Sequence, residues 1–186
     1  MKIVIEHLEP KLYKWCLIEY KHISKLIGKN SVIFTNIKPK DKGKLSKFGK
    51  VYSSSVKNFG LKKACVLDPY SQKTLKPGDK KRFDCFIFGG ILGNDPEEGR
   101  TKKLTLQLNF TTRNLGGRQL ATDTAVFVTK LILLGTPLEK IKFQDNAEIE
   151  INDSWSVILP YPYVVQNGKV MISGELVQYL KKKKGF

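Results

Sequence analysis

The sequence holds only two histidines, His7 and His22, and they fall in different elements. Histidine-built metal clusters and Ser/His/Asp arrangements both need convergent imidazoles, so neither class is favoured. His7 reads as a structural or loop polar residue, and His22 as part of the polar side of a first helix. The run Ser53-Ser54-Ser55 lacks the glycine elbow that exposes a nucleophilic serine. Cysteine is also scarce. Cys16, Cys65 and Cys85 are odd in number and widely spaced, which argues against a disulfide framework or a zinc site and for buried thiols in a reducing compartment. No apolar run approaches the roughly 20 residues that cross a bilayer, and the first residues are too charged for a secretory leader, so a cytosolic or nuclear protein with no membrane partner is expected. Acidic residues are few: 17 Asp and Glu stand against 33 Lys and Arg, a net charge of +16. Such an excess favours association with a polyanion such as RNA or the ribosome. No RNP-type aromatic motif, zinc finger or basic heptad accompanies the lysines.

What is present is organised around residues 83 to 96. Phe83, Cys85, Phe86, Ile87 and Phe88 are too uniformly apolar for a strand with one wet face, which predicts a strand covered on both sides, as in a parallel α/β sheet. Gly89, Gly90 and Gly93 then remove every Cβ where the strand ends, so the backbone there can approach a ligand closely. In open α/β sheets ligands bind at the carboxyl ends of strands. The spacing is neither GxGxxG nor GxxxxGK[ST], so dinucleotide and P-loop readings fail, and a plain turn built on Gly-Asn-Asp-Pro remains the competing account.

With 186 residues the chain fits one domain, 1–186, able to build its core without metals or disulfides. Residues 2–6 and 31–35 read as strands flanking a helix whose apolar face carries Leu12, Cys16, Ile23 and Ile27 and which Gly28 ends. The lysine-rich segment to Lys50 contains Pro39, Gly43 and Gly49 and is expected to be a poor helix and mobile. Residues 64–67 form a short buried strand, 101–109 a helix, 110–113 an extended piece, and 125–134 an apolar helix capped by Thr122 or Asp123. The region from about 147 to 186 changes character. Two antiparallel hairpins turn at Asn152-Asp153 and Asn167-Gly168, and a terminal helix carries lysines near its carboxyl end. The fold class expected is therefore α/β, a mostly parallel sheet flanked by helices, with C-terminal antiparallel hairpins.

Three loops suit one ligand: 67–70, 89–96 and 113–122. They offer backbone groups and a few polar side chains, with Arg113 and Arg118 as the basic residues, and so fit a nucleoside better than a triphosphate. The succession Phe88-Gly-Gly-Ile-Leu-Gly-Asn-Asp95, Thr112-Arg-Asn-Leu-Gly116 and Gln119-Leu-Ala-Thr-Asp-Thr-Ala125 resembles SPOUT-class methyltransferases. More narrowly, it is similar to the small family that includes a fungal protein arginine methyltransferase acting on a ribosomal protein, with archaeal relatives described as predicted RNA methyltransferases. The likeness runs from Ile5-Glu-His-Leu-Glu9, Trp15 and Glu19-Tyr20 through the terminal hairpins.

The resemblance implies a trefoil-knotted fold that holds S-adenosylmethionine in the three loops. The binding positions it implies are Leu67, Asp68 and Pro69, then Phe88, Gly89, Gly90, Ile91, Gly93 and Asn94, then Asn114, Leu115, Gly116, Gln119, Leu120 and Thr122. An arginine acceptor is cationic below a pKa of roughly 12 and must shed a proton, so carboxylates are required near it. Asp95 and Glu6 are the expected catalytic carboxylates, with Glu9, Glu97, Glu98 and Asp123 nearby. Arg100 or Arg113 is open to a role on the cofactor carboxylate or an RNA phosphate. No metal is implied. A ribosomal protein or the ribosome is the expected partner, with two alternatives: an RNA methyltransferase, or a non-catalytic ribosome- or RNA-binding protein.

Overall fold

The structure, a computed structural model, describes residues 1–92, 105, 110–152 and 154–183. Along the chain these form β1 (Lys2–His7), α1 (Lys14–Ile27), β2 (Val32–Thr35), α2 (Lys42–Leu45), β3 (Lys50–Val51), β4 (Ala64–Leu67), β5 (Cys85–Gly90), β6 (Thr111–Arg113) and α3 (Thr122–Leu133). The C-terminal part adds β7 (Phe143–Gln144), β8 (Glu148–Asn152), β9 (Trp155–Ile158), β10 (Tyr163–Gln166), β11 (Lys169–Val170) and α4 (Gly174–Lys183).

The first six strands make one parallel sheet in the order β3-β2-β1-β5-β4-β6. Its centre is buried on both faces, as the apolar run of β5 requires. Phe86 and Phe88 join Ile3 and Ile5 in the main core under α1 and α3, while Cys85 and Ile87 pack with Val4, Val56 and Val66 on the other side. Because side chains alternate along a strand, both sets must be apolar for β5 to sit there.

Helix α1 is apolar on more than one side. Cys16, Tyr20 and Ile23 face the main core, whereas Ile18 packs into a third cluster with Ile149, Val157 and Leu176. The C-terminal hairpin and α4 are thereby seated on α1. At the helix end Gly28, at φ 92°, donates its N–H to the Ser24 carbonyl at 2.8 Å, the left-handed stop its sequence promised. The β10/β11 hairpin turns at Asn167 (φ 51°) and Gly168 (φ 75°), the pair of positive φ values a two-residue hairpin of this kind needs.

Three expectations change. The lysine-rich segment after β2 folds into the sheet's flank, because Ile37 and Leu45 are fully buried and anchor it, and its end supplies β3. The apolar helix α3 begins at Thr122, so Thr122 and Asp123 lie within its first turn; Asp123 Oδ1 accepts the Thr124 N–H there instead of capping from outside. His22 is largely buried against Asp123, not on a wet helix face. Apart from Thr105, the helix expected over 101–109 lies outside the described residues, as do the turn residue Asp153 and most of the connection from β5 to β6 that a knotted path includes. Among the described residues, no helix is long and apolar enough to cross a membrane.

Candidate active site

Strands β5, β4 and β6 are adjacent and parallel, so their carboxyl ends, and the three loops that follow them, emerge side by side. The first and third loops are stitched together. Asp68 N–H donates to the Arg113 carbonyl at 2.9 Å, Asn114 Nδ2 to the Ser71 carbonyl at 2.6 Å, and Leu75 N–H to the Asn114 carbonyl at 2.9 Å. Asn114 Oδ1 also accepts the Gly116 N–H at 3.0 Å, which holds Gly116 at φ 91°. Asp68 has its own carboxylate in local bonds, accepting from Tyr70 N–H at 2.9 Å and from Thr105 Oγ1 at 2.8 Å. At the far end of the third loop, Thr122 Oγ1 lies 3.5 Å from the Ile91 carbonyl of the second.

The structure thus brings Leu67, Asp68, Pro69, Phe88, Gly89, Gly90, Ile91, Asn114, Leu115, Gly116, Gln119, Leu120 and Thr122 to one edge of the sheet. Leu67, Phe88 and Leu115 send their side chains into the main core, so at that edge they offer backbone. Gly93, Asn94 and Asp95 lie outside the described residues.

Gly90 is glycine for a reason the sequence conceals. An ideal Cβ there would stand 2.1 Å from the Tyr20 hydroxyl and 3.0 Å from Ile5 Cγ2. Tyr20, stacked on Phe34 with centroids 5.2 Å apart, bonds His7 Nδ1 at 2.8 Å. His7 is buried, which lowers its pKa, and among the described residues no hydrogen-bond partner is placed on its Nε2. The second loop is also tied back to the strand beside it. Leu92 N–H donates to Glu9 Oε1 at 2.8 Å, and Leu8 N–H to the Gly90 carbonyl at 3.0 Å.

Glu6, an expected catalytic carboxylate, and Arg113, open to a role on the cofactor, are both engaged by the scaffold. Glu6 is 2 % exposed, and its carboxylate accepts from Thr35 Oγ1 at 2.5 Å, Ser55 Oγ at 2.6 Å and Val56 N–H at 3.0 Å. Three donors hold it between β2 and the segment after β3. Arg113, also buried, grips Asp79 through Nε at 3.0 Å and Nη2 at 3.1 Å, gives Nη1 to the Thr112 carbonyl, and lies over the Phe83 ring. A guanidinium so engaged is not available to a phosphate or a cofactor carboxylate. Arg118 pairs with Asp145 at the surface, and Arg100 lies outside the described residues.

Two further buried carboxylates, which the sequence offered only in passing, stand together. Glu19 is buried on α1, accepts Trp15 Nε1 at 3.0 Å and bonds the Thr122 hydroxyl. Burial, and then the nearby Asp123, push its pKa well above the usual carboxylate range. Asp123 takes His22 Nδ1 at 2.7 Å; neither acid is paired with a lysine or arginine among the described residues. Both border Thr122, where the second and third loops meet. Glu19 was hard to find because it falls inside an apolar helix pattern; an acid in that pattern, beside Tyr20, was the signal available.

Among the described residues no group of three or more His, Cys, Asp or Glu side chains could hold a metal ion. A hollow of about 700 Å³ lies on the β8/β9 hairpin, lined by Glu148, Glu150, Trp155 and Lys181, and shares no residue with the three loops.

Comparison with known proteins agrees with this architecture. The chain is 34% identical to protein arginine N-methyltransferase SFM1 of Saccharomyces cerevisiae, over 98% of this chain and 95% of that one. The crystal structure of the yeast arginine methyltransferase SFM1 complexed with SAM superposes with a TM-score of 0.89 at 32% identity, covering 98% of this chain and 90% of the other. A dual-specific Trm10 from Thermococcus kodakaraensis, 16% identical, covers 75% of this chain and 96% of its own at a TM-score of 0.56, which speaks for the shared SPOUT fold alone. The model of the family described as protein arginine N-methyltransferase SFM1-like matches residues 2–185, and the chain belongs to that family.

Proposed function

We propose that the chain is an S-adenosylmethionine-dependent methyltransferase that modifies an arginine of a protein. The observation that carries this is the meeting of three backbone-rich loops beside the buried carboxylates Glu19 and Asp123, which have no lysine or arginine partner among the described residues. The loop lining fits the cofactor. With Arg113 tied to Asp79, no buried cation remains there for a phosphate among the described residues, whereas backbone groups around Gly116, Ile91 and Leu67 suit an adenosine. His7, the last residue of β1, pairs with Gly90 at the same edge. The described members of the binding set named above, with Gly93 and Asn94, are the proposed cofactor residues, and a trefoil threading of the chain around them is part of the proposal.

When bound, the cofactor supplies a methyl already activated by its sulfonium, so the protein's part is alignment, exclusion of water and handling of a proton. An arginine guanidinium is a planar cation that two carboxylates can hold in a fixed orientation. Glu19 and Asp123 supply that pair. Trp15 and Thr122 fix Glu19, and His22 fixes Asp123, so neither needs to reorganise as the acceptor enters. The nitrogen that takes the methyl releases one proton, and the acid pair receives it. Asp95 remains a proposed third carboxylate.

The acceptor we favour is an arginine of a ribosomal protein in the cytoplasm. The family resemblance, the charge of +16 and the three buried free thiols support this. Calorimetric titration of S-adenosylmethionine into the purified chain tests the cofactor part: one molecule bound per chain is expected, and absence of binding would refute it.

A further inference from the structure

Parallel strands all begin at one edge, so the edge opposite the three loops collects the residues that precede each strand. Here that edge is basic. Lys2 opens β1, Lys29 lies in the turn before β2, Lys50 opens β3, Lys63 precedes β4, and Lys81 and Arg82 precede β5. All six are exposed. The backbones of Lys2 and Lys63 are joined through Asp84, with Lys2 N–H donating to the Asp84 carbonyl at 3.2 Å and Asp84 N–H to the Lys63 carbonyl at 2.8 Å. Lys2 Nζ also reaches the Asn30 carbonyl at 2.9 Å, linking β1 to the turn before β2.

Five adjacent strand starts span about 19 Å at the usual ~4.8 Å spacing, a row of cations that follows the twist of the sheet. Asp84 is the exposed acid within this row, while Asp79 is buried against Arg113. The exposed aromatic rings Tyr52, Tyr70 and Trp155 lie outside the row, so it offers no platform for stacking bases. No helix projects from it, among the described residues, to enter a major groove. A row of exposed basic side chains suits the phosphates and shallow minor groove of double-stranded RNA, where recognition is by shape and backbone.

We propose that this amino-edge rim docks the enzyme on the backbone of structured RNA. The rim and the loops lie at opposite ends of strands up to six residues long, about 20 Å apart. RNA held on the rim is then a platform, not the methyl acceptor, and the loops are left facing a protein carried on the same particle. This last clause rests on the function proposed above; the binding itself does not.

The test uses a fluorescently labelled 20-base-pair RNA duplex titrated with the full chain at several salt concentrations. Affinity is expected to fall steeply with salt, with a log-log slope corresponding to about four to six phosphates. A variant carrying Lys29→Glu, Lys50→Glu, Lys63→Glu and Lys81→Glu should bind at least tenfold more weakly and with a shallower slope. Reversal of Lys181, Lys182 and Lys183 should change affinity less than twofold. If the reversal set does not fold, the corresponding Lys→Gln set is read for the same loss. Methyl transfer to a free arginine peptide should be unchanged in the rim variant, and transfer to the acceptor within its RNA–protein particle slowed. An unaltered affinity in the rim variant, a loss confined to the C-terminal variant, or equal rim-dependent binding to a DNA duplex or to phosphatidylserine vesicles would overturn the proposal.

Discussion

His22 Nδ1 and Asp123 Oδ2 lie 2.7 Å apart, joining the first crossover helix to the first turn of α3 beside the point where two of the three loops meet. Asp123 is thereby oriented from one side, and Glu19, on the same helix as His22, faces it without a counter-cation among the described residues. Two acids buried together are poor for stability and well suited to receiving a guanidinium.

Glu19→Gln should separate those two effects. The amide preserves the bond from Trp15 and the shape of the site, so cofactor affinity should stay within about twofold while arginine methylation falls about 100-fold or more. Stability should move the other way. Glu19 has a pKa raised in the folded chain from an ordinary value of 4.5, so the native state binds the proton more tightly, and stability falls as pH rises from that value through the folded pKa. Thermal unfolding across this range should show a flatter pH dependence in Glu19→Gln and a higher melting temperature at neutral pH.

Gly90→Ala should destabilise the chain by about 1–3 kcal/mol, because the new methyl meets the Tyr20 hydroxyl in a packed core. Adding Tyr20→Phe removes that oxygen and should return part of the loss. Urea unfolding of the single and double variants measures the coupling; strictly additive effects would contradict the contact.

Asn114→Ala removes the bond to the Ser71 carbonyl and the acceptor for Gly116 N–H. With each bond worth about 1 kcal/mol, calorimetry should find S-adenosylmethionine bound about tenfold more weakly, since the first and third loops lose their common strut.

Asp79→Asn leaves the Arg113 charge buried with a neutral partner. A loss of about 3 kcal/mol or more in unfolding free energy is expected. If Arg113 instead worked on the cofactor, cofactor affinity would change more than stability does.

How far the sequence could be read follows from how local each determinant is. The β5 run from Cys85 and the Asn167-Gly168 turn announce themselves within a few residues, because strand burial and hairpin geometry are local constraints. The placing of the three loops that follow β4, β5 and β6 at one edge follows once the sheet is parallel. What engages Arg113 and Glu6 could not be read from their neighbours because it is distant in sequence. Asp79 lies 34 residues before Arg113, and Ser55 lies 49 residues after Glu6. No pattern in the chain distinguishes a carboxylate that braces two strands from one that meets a substrate. Strand β3, two residues long, exists because β2 is there to pair with it.

The account is tested most directly by incubating the chain with tritiated S-adenosylmethionine and ribosomes, hydrolysing the product to its monomers and separating them. Label is predicted in methylarginine, dependent on Glu19, resistant to ribonuclease and sensitive to protease. Label recovered in a methylated nucleoside, or no transfer at all by a chain that binds the cofactor, would contradict it.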